Sequence, residues 1–166
     1  LASFTDREAD LLVALQQRCG TPRVLQAARG LSHFGEHALG WFALAGAGML
    51  LDRRHRWATV GVSAFVSHAA SVVLKRVVRR RRPHDPRITV GVATPSNYSF
   101  PSSHATSTAG ALVAAAVILR TPWPVVGVPV MMASRMVLGV HYPSDVACGA
   151  AVGAATAALV ARKDFR

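Results

Sequence analysis

Residues 134–145 read SRMVLGVHYPSD and set Arg135, His141 and Asp145 into a stretch otherwise apolar enough to be buried. Charge in a protein core or a bilayer is costly, so such residues are expected to share a partner or a task. Two further segments carry matching chemistry: KRVVRRRRP at 75–83, with Lys75 and Arg82, and PSSH at 101–104, with Ser102, Ser103 and His104. Fixed cations, a hydroxyl-rich helix start, two imidazoles and one carboxylate suit phosphoryl transfer. Lys and Arg neutralise phosphate oxygens, Arg with paired donors. A helix opening at PSSH would turn the backbone N–H groups of Ser102 and Ser103 toward an anion. One imidazole can attack phosphorus while the other protonates the leaving oxygen. Asp145, four residues beyond His141, can accept the second imidazole N–H and set the tautomer, and Pro143 between them suits a first helical turn.

These segments need a scaffold that brings them together. The chain has 166 residues, 51% of them hydrophobic, and a formal charge of +11, which together point to one membrane-embedded domain with an anionic partner. Five apolar runs, at about 38–51, 57–74, 104–119, 122–140 and 146–161, are rich in Ala and Gly, as in CGAAVGAATAALVA. Small residues let helices approach closely, so the expected fold is all-α: an integral-membrane helical bundle with about five short transmembrane helices. A soluble helical bundle is the plain alternative. Residues 1–36 form a peripheral region in which Ala9, Leu12, Val13 and Leu15 share a helical face, predicting an N-terminal amphipathic helix broken at Gly20, Thr21 and Pro22. A second short helix runs to about Arg29. The stretch 75–103 is expected to be a loop belonging to the active site. Threading five spans in order puts Lys75 and Arg82 after the second, PSSH at the start of the third, and Arg135, His141 and Asp145 around the end of the fourth. All then fall on one membrane face.

The three segments resemble the signature of the type 2 phosphatidic-acid phosphatase superfamily, which includes the vanadium haloperoxidases. That signature is Lys, six residues, Arg-Pro; then Pro-Ser-Gly-His; then Ser-Arg, five residues, His, three residues, Asp. Here it is met by Lys75, Arg82 and Pro83, by PSSH, and by Ser134, Arg135, His141 and Asp145, with Ser103 in place of the usual Gly. The resemblance implies that His141 is the nucleophile forming a phosphohistidine, oriented by Asp145. It implies His104 as the acid for the leaving group and later the base for water, and Lys75, Arg82, Ser102, Ser103 and Arg135 as the phosphate cradle. It implies no metal and no other cofactor, since the cations supply the positive charge.

The opening LSHFGEH and the small five-helix plan are also similar to actinobacterial enzymes that remove the 5-phosphate from decaprenylphosphoryl-phosphoribose. Polyprenyl pyrophosphates, phosphatidylglycerol phosphate and phosphatidic acid stay open as substrates, because the signature reads the phosphate and not its carrier. The expected partners are a phosphorylated lipid and the anionic bilayer, with no nucleic acid. Arg76, Arg79, Arg80 and Arg81 are read as contacts to lipid headgroups. The rival of another class is a non-catalytic protein that binds anionic lipid through this run.

Within HFGEH, His33, Glu36 and His37 match a zinc-peptidase pattern but lack an evident third ligand; they are expected to cap the first span or line the entrance to the phosphate site. His68 is read as a packed polar residue, and Trp41, Trp57 and Trp123 as interfacial anchors. Lys and Arg are more numerous on the motif face, with Arg7, Arg18, Arg23, Arg29 and the 75–87 stretch, than on the opposite face, which holds Arg54, Arg120 and Arg166 among others. That excess places the active site in the cytoplasm.

Overall fold

A computed structural model describes residues 3–53 and 55–164. Arg54 and Arg166, used above to weigh the two faces, lie outside the described residues. The described chain is all-α: α1 (Phe4–Cys19), α2 (Pro22–Gly35), α3 (Leu39–Leu51), α4 (Ala58–Val78), α5 (Ser103–Leu119), α6 (Gly127–Val137) and α7 (Pro143–Asp164). Short 3₁₀ turns at Glu36–Ala38 and Trp123–Val126 precede α3 and α6.

Local chemistry accounts for the boundaries. Ser3 and Asp6 cap α1 reciprocally, each side chain taking the other's backbone N–H, so two otherwise unpaired donors are satisfied. Thr21 caps α2 by accepting from the Val24 amide, and Pro22 takes the first helical position, where its missing N–H does no harm. The expected break at 20–22 is therefore present, but α2 continues past Arg29 to Gly35.

The apolar run at 122–140 is not one long helix: Pro122, Pro124 and the 3₁₀ turn leave only the 11-residue α6. The loop boundary also shifts. Lys75 lies in the last turn of α4, which ends at Val78 with Arg79 in the left-handed conformation (φ 52°), so the connection runs from 79 to 102.

At the centre stands α5, whose Ala, Gly, Ser and Thr side chains are nearly all buried between α4 and α7. Small residues make the contact close. A Cβ on Gly153 of α7 would overlap the Thr106 carbonyl oxygen of α5 and lie 2.9 Å from the Ala109 Cβ. Gly153→Val is accordingly expected to overpack this seam at a cost of about 1–3 kcal/mol, read as a melting temperature in detergent lower by roughly 3–10 °C.

Two helices, α4 and the Pro143–Arg162 part of α7, are long and apolar enough to cross a membrane, and only 33% of each is buried by protein. Their outer faces and those of α3 and α6 carry exposed Leu50, Leu51, Phe65, Val73, Val130 and Leu159. Apolar surface on this scale is of the kind that a membrane or another protein surface covers. The tryptophans divide. Trp123 is exposed, whereas Trp41 is packed in the core with its ring edge-on to Phe34 at 4.9 Å, so it is a core residue and not an interfacial anchor.

Candidate active site

The three signature segments meet at one end of the bundle, where the C-terminal ends of α4 and α6 lie beside the N-terminal ends of α5 and α7. Together with the end of α2 and the 79–102 connection, they enclose a cavity of about 510 Å³. Lys75, Arg82, Ser103, His104, Arg135 and His141 all line it.

His141 sits in the turn between α6 and α7 and is 2% exposed. Its Nε2 lies 3.2 Å from the Arg82 guanidinium. A guanidinium can only donate, so Nε2 accepts and the imidazole proton resides on Nδ1. That nitrogen is turned toward Asp145 Oδ2 at 3.7 Å, an ion-pair separation longer than a hydrogen bond. The expected pairing with Asp145 is thus present in direction but loose. Burial, reinforced by Arg82, Arg135 and Lys75, pushes the His141 pKa well below the ordinary histidine range. A neutral ring with its lone pair on the cavity side is the form a nucleophile requires.

The cations are held by backbone and hydroxyl oxygens rather than carboxylates. The Lys75 ammonium donates to the Tyr98 carbonyl at 3.0 Å. Arg82 donates to the carbonyls of Ser96 and Val140, each at 2.7 Å. Burial pulls the Arg82 pKa down to about 10, with Asp145 partly opposing, which leaves it fully charged near neutrality. Arg135 is 2% exposed and donates to the Ser32 hydroxyl at 2.6 Å, while its buried Nε has no hydrogen-bond partner among the described residues. Uncharged oxygens orient these side chains without cancelling their charge, so the cavity is electropositive and fitted to a polyanion.

Ser32 was not legible as a site residue. Its hydroxyl takes Arg135 and its carbonyl accepts from His104 Nε2 at 3.0 Å, so one residue of α2 orients two residues of the cavity. Three residues on, Gly35 is required by this closeness: a Cβ there would lie 2.8 Å from the His104 ring and 3.1 Å from the Met131 methyl. His33, Glu36 and His37 do line the cavity. His37 (φ 49°) and Ala38 (φ 61°) are both left-handed, a costly conformation for residues with a Cβ. This corner brings the His37 ring to 6.1 Å from that of His68, which is part-buried in α4 and also lines the cavity. No cluster of three or more His, Cys, Asp or Glu suited to a metal is found among the described residues.

Two placements correct the expectations. Ser102 is fully buried; its N–H donates to the Asp145 carbonyl at 3.0 Å and its hydroxyl caps α5, so its amide is committed to joining α5 to α7 and not to the cavity. Ser103 faces the cavity in its place. Arg80, read as a headgroup contact, turns inward and donates to Asp145 Oδ1 at 2.8 Å. The cause is the backbone. Beyond the left-handed Arg79 the chain is extended, with Arg81 bridged to Tyr98, so alternate residues face alternate sides and Arg79 and Arg81 stay exposed while Arg80 and Arg82 point in. Arg76 remains exposed but lines the cavity mouth.

The family model of the PAP2 superfamily matches residues 56–166. The decaprenylphosphoryl-5-phosphoribose phosphatase of Mycobacterium tuberculosis is 53% identical over 156 residues, covering 92% of this chain and 88% of that protein. The protein of the same name from Mycolicibacterium smegmatis is 56% identical over 145 residues, covering 86% of this chain and 81% of its own. Among solved structures, the transmembrane PAP2-type phosphatidylglycerolphosphate phosphatase of Bacillus subtilis superposes with a TM-score of 0.72 at 23% identity, over 94% of this chain and 85% of that one, a likeness of fold. With the family model matching residues 56–166 and relatives matching over most of their length, this chain belongs to the PAP2 superfamily.

Proposed function

We propose that this protein is a membrane lipid phosphatase that removes the 5-phosphate from a polyprenylphosphoryl-phosphoribose, through a phosphohistidine on His141. The observation that carries the reaction is the placement of His141 Nε2 against Arg82 in a buried, electropositive cavity shared with Lys75, Arg135, Ser103 and His104. The substrate reading draws on the relatives at 53% and 56% identity, named decaprenylphosphoryl-5-phosphoribose phosphatase. It also draws on the other residues that line the cavity. There His33, Glu36 and His37 offer hydrogen-bonding groups suited to sugar hydroxyls, and Arg76 a cation suited to a second phosphate.

In the first step His141 Nε2 attacks phosphorus as the bond to the ribose O5′ breaks, and His104 gives that oxygen its proton. In the second, His104 takes a proton from water, whose oxygen attacks the phosphohistidine, and Nε2 departs. Lys75, Arg82, Arg135 and the Ser103 amide stabilise the charge on the equatorial oxygens in both transition states. Asp145 stabilises the positive charge that develops on the His141 ring. The cations supply the charge stabilisation, so the reading calls for no metal.

The same reading makes the whole chain one membrane-embedded domain, with α3 to α7 crossing the bilayer, α1 and α2 peripheral, and the 79–102 connection completing the site at the cytoplasmic edge. The lipid tail would then stay beside the exposed apolar helix faces while its head enters the cavity. The test is phosphate release in detergent from decaprenylphosphoryl-5-phosphoribose, a polyprenyl pyrophosphate, phosphatidylglycerol phosphate and phosphatidic acid, each with and without EDTA. The phosphoribosyl lipid is expected to show a kcat/KM at least about tenfold above the others, unchanged by the chelator. A stronger preference for any of the other three would overturn the substrate reading, and loss of activity in EDTA the metal-free mechanism.

A further inference from the structure

The matched family region starts at residue 56, yet Arg80, which holds Asp145, is itself anchored by residue 8. Glu8 of α1 is 4% exposed, an unusual setting for a carboxylate on a peripheral helix. Its Oε2 accepts from Arg80 at 2.5 Å, and its Oε1 accepts the Ser144 backbone N–H at 2.8 Å, at the N-terminal end of α7 where such donors lack helical partners. The opposite prong of the Arg80 guanidinium reaches the Ser144 hydroxyl at 2.7 Å and Asp145 Oδ1 at 2.8 Å. The Tyr142 ring packs against the same guanidinium, 4.2 Å from its centre. Burial works against the Arg80 charge, but hydrogen bonds and attraction from Glu8 and Asp145 outweigh it and raise the pKa. Asp145 spends its remaining oxygen on the Tyr142 amide at 2.8 Å and on facing His141.

We propose that Glu8 is a positioning residue for catalysis: it anchors Arg80, Arg80 holds Asp145 in register, and Asp145 orients the His141 imidazole. The N-terminal helix is then part of the catalytic apparatus. Other contacts fix α1 over the same spot. Gln16 donates to the carbonyls of Thr89 and Val137 and accepts from the Thr89 amide, and Ala9 and Leu12 pack on Ile88 and Tyr142. A guanidinium bridging two carboxylates cannot be copied by the single ammonium of lysine.

The proposal rests on His141 being the nucleophile, so the experiment includes a check of that reading. Steady-state kcat and KM for one lipid phosphate, together with thermal melting in detergent, would be compared for the parent, Glu8→Gln, Arg80→Lys, the double variant and His141→Ala. Glu8→Gln keeps the shape and an acceptor for the Ser144 amide but removes the charge that anchors Arg80. It is expected to lower kcat about tenfold, with KM within about twofold and melting within a few degrees of the parent. Arg80→Lys should lose more, and the double variant no more than Arg80→Lys alone, because both act through Asp145. A Glu8→Gln protein with parental kcat, or losses that multiply in the double variant, would overturn the proposal. Should Glu8→Gln fail to fold, parental kcat in Arg80→Lys would overturn it equally. An active His141→Ala would sink the underlying reading instead, an outcome distinct from these.

Discussion

His141→Ala is expected to lose turnover by about 10⁴-fold or more, the scale seen when a nucleophile acting in concert with its partners is removed. The ring is buried and has one hydrogen-bonded neighbour at its cavity-side nitrogen, Arg82 at 3.2 Å. Its removal takes away the attacking atom while leaving the Arg82 contacts to Ser96 and Val140 intact. Folding should therefore survive, and His141→Asn, which fills more of the space, guards against a collapsed cavity. Rapid-quench labelling with a ³²P-phosphate monoester adds a direct readout: the parent should form an alkali-stable, acid-labile phosphoenzyme and the variants none. Because burial holds the His141 pKa well below the histidine norm, the nucleophile stays neutral through weakly acidic pH. The acid limb of kcat/KM should consequently lie below the pH at which a free imidazole titrates. Persistent labelling in His141→Ala would refute the assignment.

The second large effect concerns His104 and depends on what it protonates. His104→Ala should lower kcat on an alkyl phosphate, such as a sugar 5-phosphate lipid, by about 10²–10⁴-fold, the usual contribution of a positioned acid. On p-nitrophenyl phosphate, whose leaving group departs without a proton, phosphoenzyme formation should fall by less than about tenfold. Hydrolysis of the phosphohistidine still needs His104 as base. The variant should therefore give a burst of nitrophenol equal to the enzyme present, followed by slow turnover. Equal losses on both substrates, with no burst, would assign His104 to phosphate binding alone. The structure offers a reason for its precise placement: Ser32 orients it through a carbonyl, and the missing side chain at Gly35 gives it room.

How much of this was legible in the sequence differs from residue to residue. The three signature segments, their order and their meeting at one end of a helical bundle followed from spacing and from the alternation of apolar runs. Lys75, Arg82, Ser103, His104, Arg135 and His141 do share one cavity. Spacing could not show that Ser102 spends its amide on the Asp145 carbonyl, since that bond spans α5 and α7 and no local pattern encodes it. Glu8 left a faint trace, because it lies one helical turn before Leu12 on the buried stripe of α1, but an acid on an apolar stripe names no partner. Its partner is 72 residues away.

The clearest division is within the arginines at 79–82, four copies of one residue type with one charge. Composition alone determined that cations stand here, while the order of the apolar runs put Arg82 on the face of His141 and the family resemblance implied that the two share a phosphate. Which of the others faces inward was decided by tertiary structure: a left-handed residue ends α4 and starts an extended, alternating segment held by its pairing with residues 97–99, by the α6–α7 turn and the start of α7, and by the cover of α1. Side-chain direction after such a turn depends on backbone torsions set by distant contacts, and identical letters carry no record of them.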